Sequence, residues 1–336
     1  VPEDQRLGEL GEDGLVAAVV ARYRSPAGVS GSPVRIGPGD DAAVLDVPGP
    51  VVVSTDTVVE GYDFRRDWSS AHDVGVKVAA QNLADIAAMG ARPLALVVSL
   101  AAPSDLAGAW ATGLADGLED ECCRAGAQVV GGDVSEAGEI VITGTAIGVL
   151  DGPAARRGGA RPGDVVAVAG RLGDSAAGLA LLLAGQGDAF PALVAAHRAP
   201  RPPYPAGPAA ASAGAHALID TSDGLLRDAT RLAEASGVRI DLDPAALDPA
   251  VIDPEGEPVR AAALLRTPEE ALTWALTGGE DHALLATFAP GAALPPPFRV
   301  IGRVLPVAGA ENPGVLVAGR PWSGRPGWTH FTGADT

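Results

Sequence analysis

Short apolar runs that end on an acidic or glycine-containing turn alternate along this chain with longer helical patterns, and this alternation sets the fold class. The runs VVVSTDTVV, LALVVSL, QVVGG and EIVITGTAIGVL in the first half have the length and composition of strands, as do DVVAVAG, ALID, VRIDLD, HALLATF and FRVIGRV in the second. Helical patterns interleave with them at about 13–24, 72–89, 106–124, 173–185, 223–237 and 267–276. Strands alternating with helices predict a mixed α/β (α+β) layer structure. At 336 residues the chain is long for one ordinary domain. The turn-rich, charged stretch DGPAARRGGARPGD begins at residue 151, which places two expected domains at 1–150 and 151–336. Hydrophobic residues make up 47% of the chain but aromatic ones only 4%, so the core must be built from Ala, Val and Leu.

The acidic turns carry the chemistry. Six motifs contain them: GDDAAV (39–44), STDT (54–57), NLADIAAMGA (82–91), GGD (131–133), DTSDG (220–224) and GGED (278–281). Gathered together, so many carboxylates repel unless divalent cations sit between them. The one lysine is Lys77, so a bound phosphate must be neutralised by metal, arginine or backbone N–H groups. Ser54, Thr55, Asp56 and Thr57 offer oxygen ligands of the kind Mg²⁺ prefers. Asn82 and Asp85 lie three residues apart on one helix face, with Lys77 as an alternative partner for Asp85. GGD and DTSDG read as strand-end turns, where open α/β sheets place ligand groups. Each motif also has a plain structural reading. Asp40 and Asp41 suit a Gly-Asp turn, Ser222 or Asp223 suits an N-cap, and Asp174 or Ser175 suits the start of the helix at 173.

Other classes are disfavoured. A net charge of −18 offers no basic stripe for nucleic acid or anionic lipid. Cys122 and Cys123 are adjacent and are expected to be half-buried helix residues, without zinc or disulfide spacing. None of the five histidines pairs at metal-ligand spacing, and neither a P-loop nor a nucleophile elbow occurs. No apolar stretch reaches membrane-spanning length and VPEDQRLGEL is unlike a signal peptide, so the expectation is a cytoplasmic protein.

In order, GDDAAVL, STDTVVEG, NLADIAAMGA, GGD, RRGGARPGD, GDSAAGLALL, IDTSDGL, ALTGGED and GWTHF closely resemble the thiamine-monophosphate kinase family. That family lies within the aminoimidazole-ribonucleotide-synthetase-like ATP-binding superfamily, and the resemblance runs from about residue 36 to residue 331. It implies a homodimer formed through a β-rich N-terminal domain, and ATP-dependent γ-phosphoryl transfer to thiamine phosphate. It further implies that Asp41, Ser54, Thr55, Asp56, Asp85, Asp133, Asp220 and Asp223 bind several Mg²⁺ ions. Gly132, Asp133, Arg157 and Ser222 would meet ATP, while Asp63, Glu280 and Trp328 would face thiamine phosphate. The chain departs from the family pattern at Asp63 (often His), Ala84 (Ser), Val134 (Thr) and His282 (Tyr).

Such a reaction brings two phosphates together. Two unit charges about 4 Å apart interact by roughly 4 kcal/mol at an effective dielectric near 20, so two charges on each phosphate reach roughly 16 kcal/mol. Several cations are needed to offset that. An acceptor oxygen that is already anionic needs no general base, so direct in-line transfer without a covalent nucleophile is expected. The competing readings are an ATP-dependent ligase of the same superfamily and a non-catalytic nucleotide-binding protein. Selenophosphate synthesis and hydrogenase maturation are disfavoured by cysteine placement.

Overall fold

The computed structural model describes residues 5–23, 33–38, 42–249, 253, 255–267, 270–309 and 312–329. The chain forms two compact units: Val1–Ala87 with Ala91–Asp151, and Ala88–Gly90 with Gly152–Thr336.

The first unit runs α1 (Leu7–Val20), β1 (Val34–Ile36), β2 (Val44–Leu45), β3 (Val51–Val59), α2 (Ala71–Ala88), β4 (Arg92–Ala102), α3 (Gly108–Ala125), β5 (Gln128–Glu136) and β6 (Val141–Val149). Helix α1 starts well before the expected residue 13, because Gly11, at φ 66°, interrupts a helical pattern that is legible only beyond it. Strands β3-β6-β4-β5 form a four-stranded sheet in which only β4 and β5 are parallel. Helix α2 is buried almost all round, with Val74, Val78, Ala79, Leu83, Ala84 and Ile86 fully covered. It meets α3 at a backbone crossing: a methyl on Gly75 would overlap the Leu114 carbonyl, and one on Gly117 the His72 carbonyl. Cys122 and Cys123 sit on α3, but one is buried and the other exposed, since successive helical residues point about 100° apart.

An expected strand end and an expected strand-end turn are strand interiors instead. STDT lies in the middle of β3, whose pairing with β6 continues to Val59↔Val141, and GGD lies inside β5, which runs on to Glu136. Polarity does not end these strands, because both keep an exposed face on which polar side chains sit without interrupting the ladder.

The second unit contains β7 (Val165–Ala169), α4 (Asp174–Leu183), α5 (Pro191–Arg198), α6 (Ala206–Ser212), β8 (Ala217–Thr221), α7 (Leu225–Ser236) and β9 (Arg239–Leu242). There follow α8 (Glu257–Leu264), α9 (Glu270–Thr277), β10 (Ala283–Phe288), β11 (Arg299–Leu305), β12 (Gly314–Val317) and β13 (Arg320–Pro321). The sheet order is β13-β12-β9-β11-β7-β10-β8, antiparallel except where β12 runs beside β9. Apolar residues at Leu225, Leu226, Ala229, Leu232 and Ala233 recur at helical spacing, so α7 buries that stripe against Ile219, Ile240 and Leu285 of the sheet. The antiparallel pairing of β10 with both neighbours sets the site. Ala283 pairs with Thr221 and Leu284 with Ala169, so the exits of β7 and β8 and the entry to β10 share one sheet end.

Candidate functional site

In the first unit the acidic residues meet on the α2 face of the sheet. Side chains alternate along β3, so Ser54 and Asp56 project to one face and Thr55 and Thr57 to the other. Ser54 Oγ donates to Asp85 Oδ2 at 2.5 Å, and the Asp56 N–H donates to Asn82 Oδ1 at 3.0 Å. Asn82 is fully buried and donates from Nδ2 to the Val78 carbonyl, which fixes its amide. Its place depends on Gly144, the register partner of Asp56, because a methyl there would overlap the Asn82 amide. Asn82 and Asp85 thus reach the middle of β3 from adjacent turns of one helix.

The other predicted residues of this unit stand apart from that group. The Thr55 hydroxyl donates to the Gly144 carbonyl and lies 3.0 Å from the Thr145 hydroxyl, on the face away from Ser54. Asp133 shares a cross-sheet row with Ser99, Thr143 and Thr57 by register, so it lies on that same open face, accepting from Ser135 Oγ at 3.0 Å. Gly132 adjoins it on β5, so close to Val98 that a methyl would strike the carbonyl. Asp63 Oδ2 accepts the Val59 N–H at 2.8 Å, tying its own turn. Lys77, 2% exposed, donates to the Asp63 carbonyl at 3.1 Å. Asp41 lies outside the described residues.

In the second unit three loops converge at the shared sheet end. Glu280 and His282 both adopt left-handed backbone, at φ 62° and 49°, a conformation that non-glycine residues keep only where their surroundings enforce it. Here the enforcing bonds run to the DTSDG loop: the Glu280 N–H donates to the Ser222 carbonyl at 2.8 Å and the His282 N–H to the Thr221 carbonyl at 3.0 Å. Between those two residues, Asp281 turns to the third loop and accepts the Gly173 and Ser175 N–H groups at 2.6 and 3.1 Å. Helix α4 is therefore capped from the distant GGED turn, not by its own Asp174 or Ser175 as expected, and Gly173 occupies its N-cap. Burial pushes the Asp281 carboxyl up to about 7, against the two N–H groups that favour its ionised form.

The DTSDG loop is likewise not a simple cap. Gly224 occupies the N-cap of α7, and no side chain there bonds the helix start. Asp220, 4% exposed, faces His282 Nδ1 at 3.3 Å. Asp223 accepts from Arg231 at 2.6 Å and Arg227 at 3.2 Å, so two guanidinium groups already offset its charge. Asp228 lies beneath them, accepting the Asp223 N–H and an Arg231 N–H. Burial, then the charge of Asp220, raises its carboxyl to about 7, with Arg231 opposing the rise. Ser222 is half-buried in the loop. The Trp328 N–H donates to the Asp223 carbonyl at 2.9 Å, which places its 58% exposed indole beside this loop. Arg157 is exposed and belongs to a turn at the start of β8, where the Leu218 N–H donates to the Arg156 carbonyl. The loop cluster stands at the other end of that strand.

Asn82, Asp228, Arg227, Arg231 and His197 are structural participants to which the sequence reading gave no site role. Asn82 was marked only by its spacing from Asp85. The arginines show the i+4 and i+8 spacing from Asp223, which is a usable signal. His197 has no local signal, because its partners come from distant loops.

Among the described residues no group of three or more His, Cys, Asp or Glu forms a ready metal cage, and no helix is long and apolar enough to cross a membrane. The donors that do converge on β3 and α2 are hydroxyl, amide and carboxylate oxygens. That set fits Mg²⁺, which usually takes one or two carboxylates and completes its shell with water and phosphate.

Comparison with known proteins agrees with this layout. The AIR synthase related protein N-terminal domain family matches residues 39–150, and its C-terminal domain family matches residues 161–311. The thiamine-monophosphate kinase of Mycobacterium tuberculosis (strain ATCC 25618 / H37Rv) is 47% identical over 336 residues, 99% of this chain and 95% of that protein. The crystal structure of thiamine-monophosphate kinase from Stenotrophomonas maltophilia K279a superposes with a TM-score of 0.77 at 30% identity, covering 91% of this chain and 96% of that one. The structure of AaThiL complexed with AMPPCP and TMP gives 0.74 at 30% identity, covering 97% and 99%.

Proposed function

Since this chain belongs to the thiamine-monophosphate kinase family, we propose that it transfers the γ-phosphoryl group of ATP to thiamine phosphate. An oxygen of the acceptor phosphate forms a bond to the γ-phosphorus as the bond from that phosphorus to the β–γ bridging oxygen breaks. The products are thiamine diphosphate and ADP. The observation that carries this reading is the meeting of DTSDG, GGED and the α4 start at one sheet end, with Glu280 held on left-handed backbone by Ser222.

The chain's own residues bind and orient. Glu280 and the exposed Trp328 indole lie on the loop cluster, where they suit the cationic thiazolium and its ring face. Arg227 and Arg231 supply cationic charge beside Ser222, the residue assigned to ATP. Asp56 and Asp85 would hold Mg²⁺ on the first unit, with Ser54 orienting Asp85, and Asp220 would hold a further Mg²⁺ on the second. When bound, the ion offsets the charge between the phosphates and polarises the phosphoryl oxygens. Thr55 and Asp133 are assigned a weaker share because both lie on the opposite sheet face, and Asp223 because its charge is already offset by two arginines. Asp41 and the contacts of Asp63, Gly132 and Arg157 with the substrates rest on family resemblance.

The homodimer is also part of this proposal. The β3 end of the open sheet face leaves Val51 and Val53 at 51% and 62% exposed, and a second copy would cover it. Val53→Glu should then yield monomers by light scattering, and an unchanged mass would remove the dimer from the reading. The activity itself is tested by incubating the protein with ATP, Mg²⁺ and thiamine phosphate and following thiamine diphosphate and ADP, omitting each component in turn. Formation of ADP without thiamine diphosphate would overturn the assignment.

A further inference from the structure

We infer that His197 is a positioning residue for Glu280, and that the α4–α5 pair sets affinity for the acceptor through it. This rests on the reading that Glu280 faces thiamine phosphate. The geometry is local to the second unit. His197 Nδ1 stands 3.5 Å from Glu280 Oε2 and 3.2 Å from Ser175 Oγ, and the imidazole is only 12% exposed. Both oxygens thus lie within reach of one ring nitrogen.

The ring has a rigid base. Leu193 and Val194 of α5 are buried with Ala177 and Leu181 of α4. The two helices touch at backbone distance, since a methyl on Gly178 would overlap the Leu193 carbonyl. The base is itself joined to the GGED turn, because Asp281 accepts N–H groups of Gly173 and Ser175 at the start of α4. His197 and the Ser222 carbonyl both act on Glu280. Its backbone is fixed by the Ser222 carbonyl, and its flexible side chain, one-third exposed, is turned toward α5 by His197. A polar partner behind a flexible carboxylate narrows the rotamers it samples.

The test is steady-state kinetics of the full chain with thiamine phosphate and ATP varied separately. His197→Ala should raise the KM for thiamine phosphate about tenfold, the effect expected of a supporting partner, while the KM for ATP stays within about twofold. His197→Asn, whose amide nitrogen can take the place of Nδ1, should recover most of that loss. The double variant His197→Ala/Glu280→Gln should be no worse than Glu280→Gln alone. Equal changes in both KM values, no change, or additive losses would overturn the inference. If His197→Ala does not fold, His197→Gln, which moves the donor by one methylene, takes its place with the same expected acceptor-specific rise. Glu280→Gln with an unchanged acceptor KM would instead overturn the role given to Glu280, and the inference with it.

Discussion

The two acidic clusters are oriented by different chemistry. On the first unit Ser54 donates to Asp85, and Asn82 accepts from the Asp56 backbone. On the second the bonds involve charge: two arginines on Asp223, an arginine on Asp228, and a histidine against Asp220. A neutral hydrogen bond aims a carboxylate and leaves its charge to act on a cation, whereas a guanidinium aims it and offsets the charge. The Ser54 bond therefore aims Asp85 without neutralising it, whereas the two arginines on Asp223 offset its charge and hold the loop.

Asp85→Asn tests the contrast most severely. The amide can still accept from Ser54, so the change removes charge and little shape. Turnover should fall about 10³-fold, in line with losing a group that stabilises transferring charge, with the melting temperature nearly unchanged. A loss below about tenfold would make Asp85 a structural residue and erase the contrast. Gly144→Ala probes the same cluster through packing. Its methyl must displace Asn82, so urea unfolding should show a loss of about 1–3 kcal/mol. An unshifted midpoint would mean that Asn82 is not held where β6 meets α2.

Asp281 offers a pH test of the second cluster. Its folded-state value, about 7, lies above the ordinary 3.8, so the folded protein binds the extra proton between those limits. Stability from this group is then greatest at low pH and declines as pH rises toward 7. The difference in unfolding free energy between the protein and Asp281→Asn should move by about 1 kcal/mol from pH 5 to pH 8, allowing for partial exposure. A flat difference would mean that the carboxylate is ionised throughout. The smallest expected effect is that of Trp328→Ala, about a threefold rise in the KM for thiamine phosphate, as befits an exposed cation–π contact.

Much of this layout was legible in the sequence. The apolar runs located most strands, and the motif order marked Asp56, Asp85, Asp220 and Glu280. What could not be read was orientation. STDT looked like one group of oxygen donors, yet the strand period divides it between two faces of a sheet. Asp133 belonged to the same family pattern but stands on the face away from Asp56, a fact set by register with Ser99. Asp174 and Ser175 looked like caps, while the residue that caps α4 is Asp281, more than a hundred positions away. Short-range rules cannot find a partner brought in by β10. Helix α5 was hidden beside a proline-rich connector, and His197 with it.

The pairing of the 327–329 segment with the DTSDG loop has a practical side. Trp328 is stitched to Asp223 by its main chain, and the Thr329 hydroxyl takes a bond from Arg227 at 2.7 Å. Cutting back through this stretch would remove both bonds at once and loosen the arginine that steadies the loop.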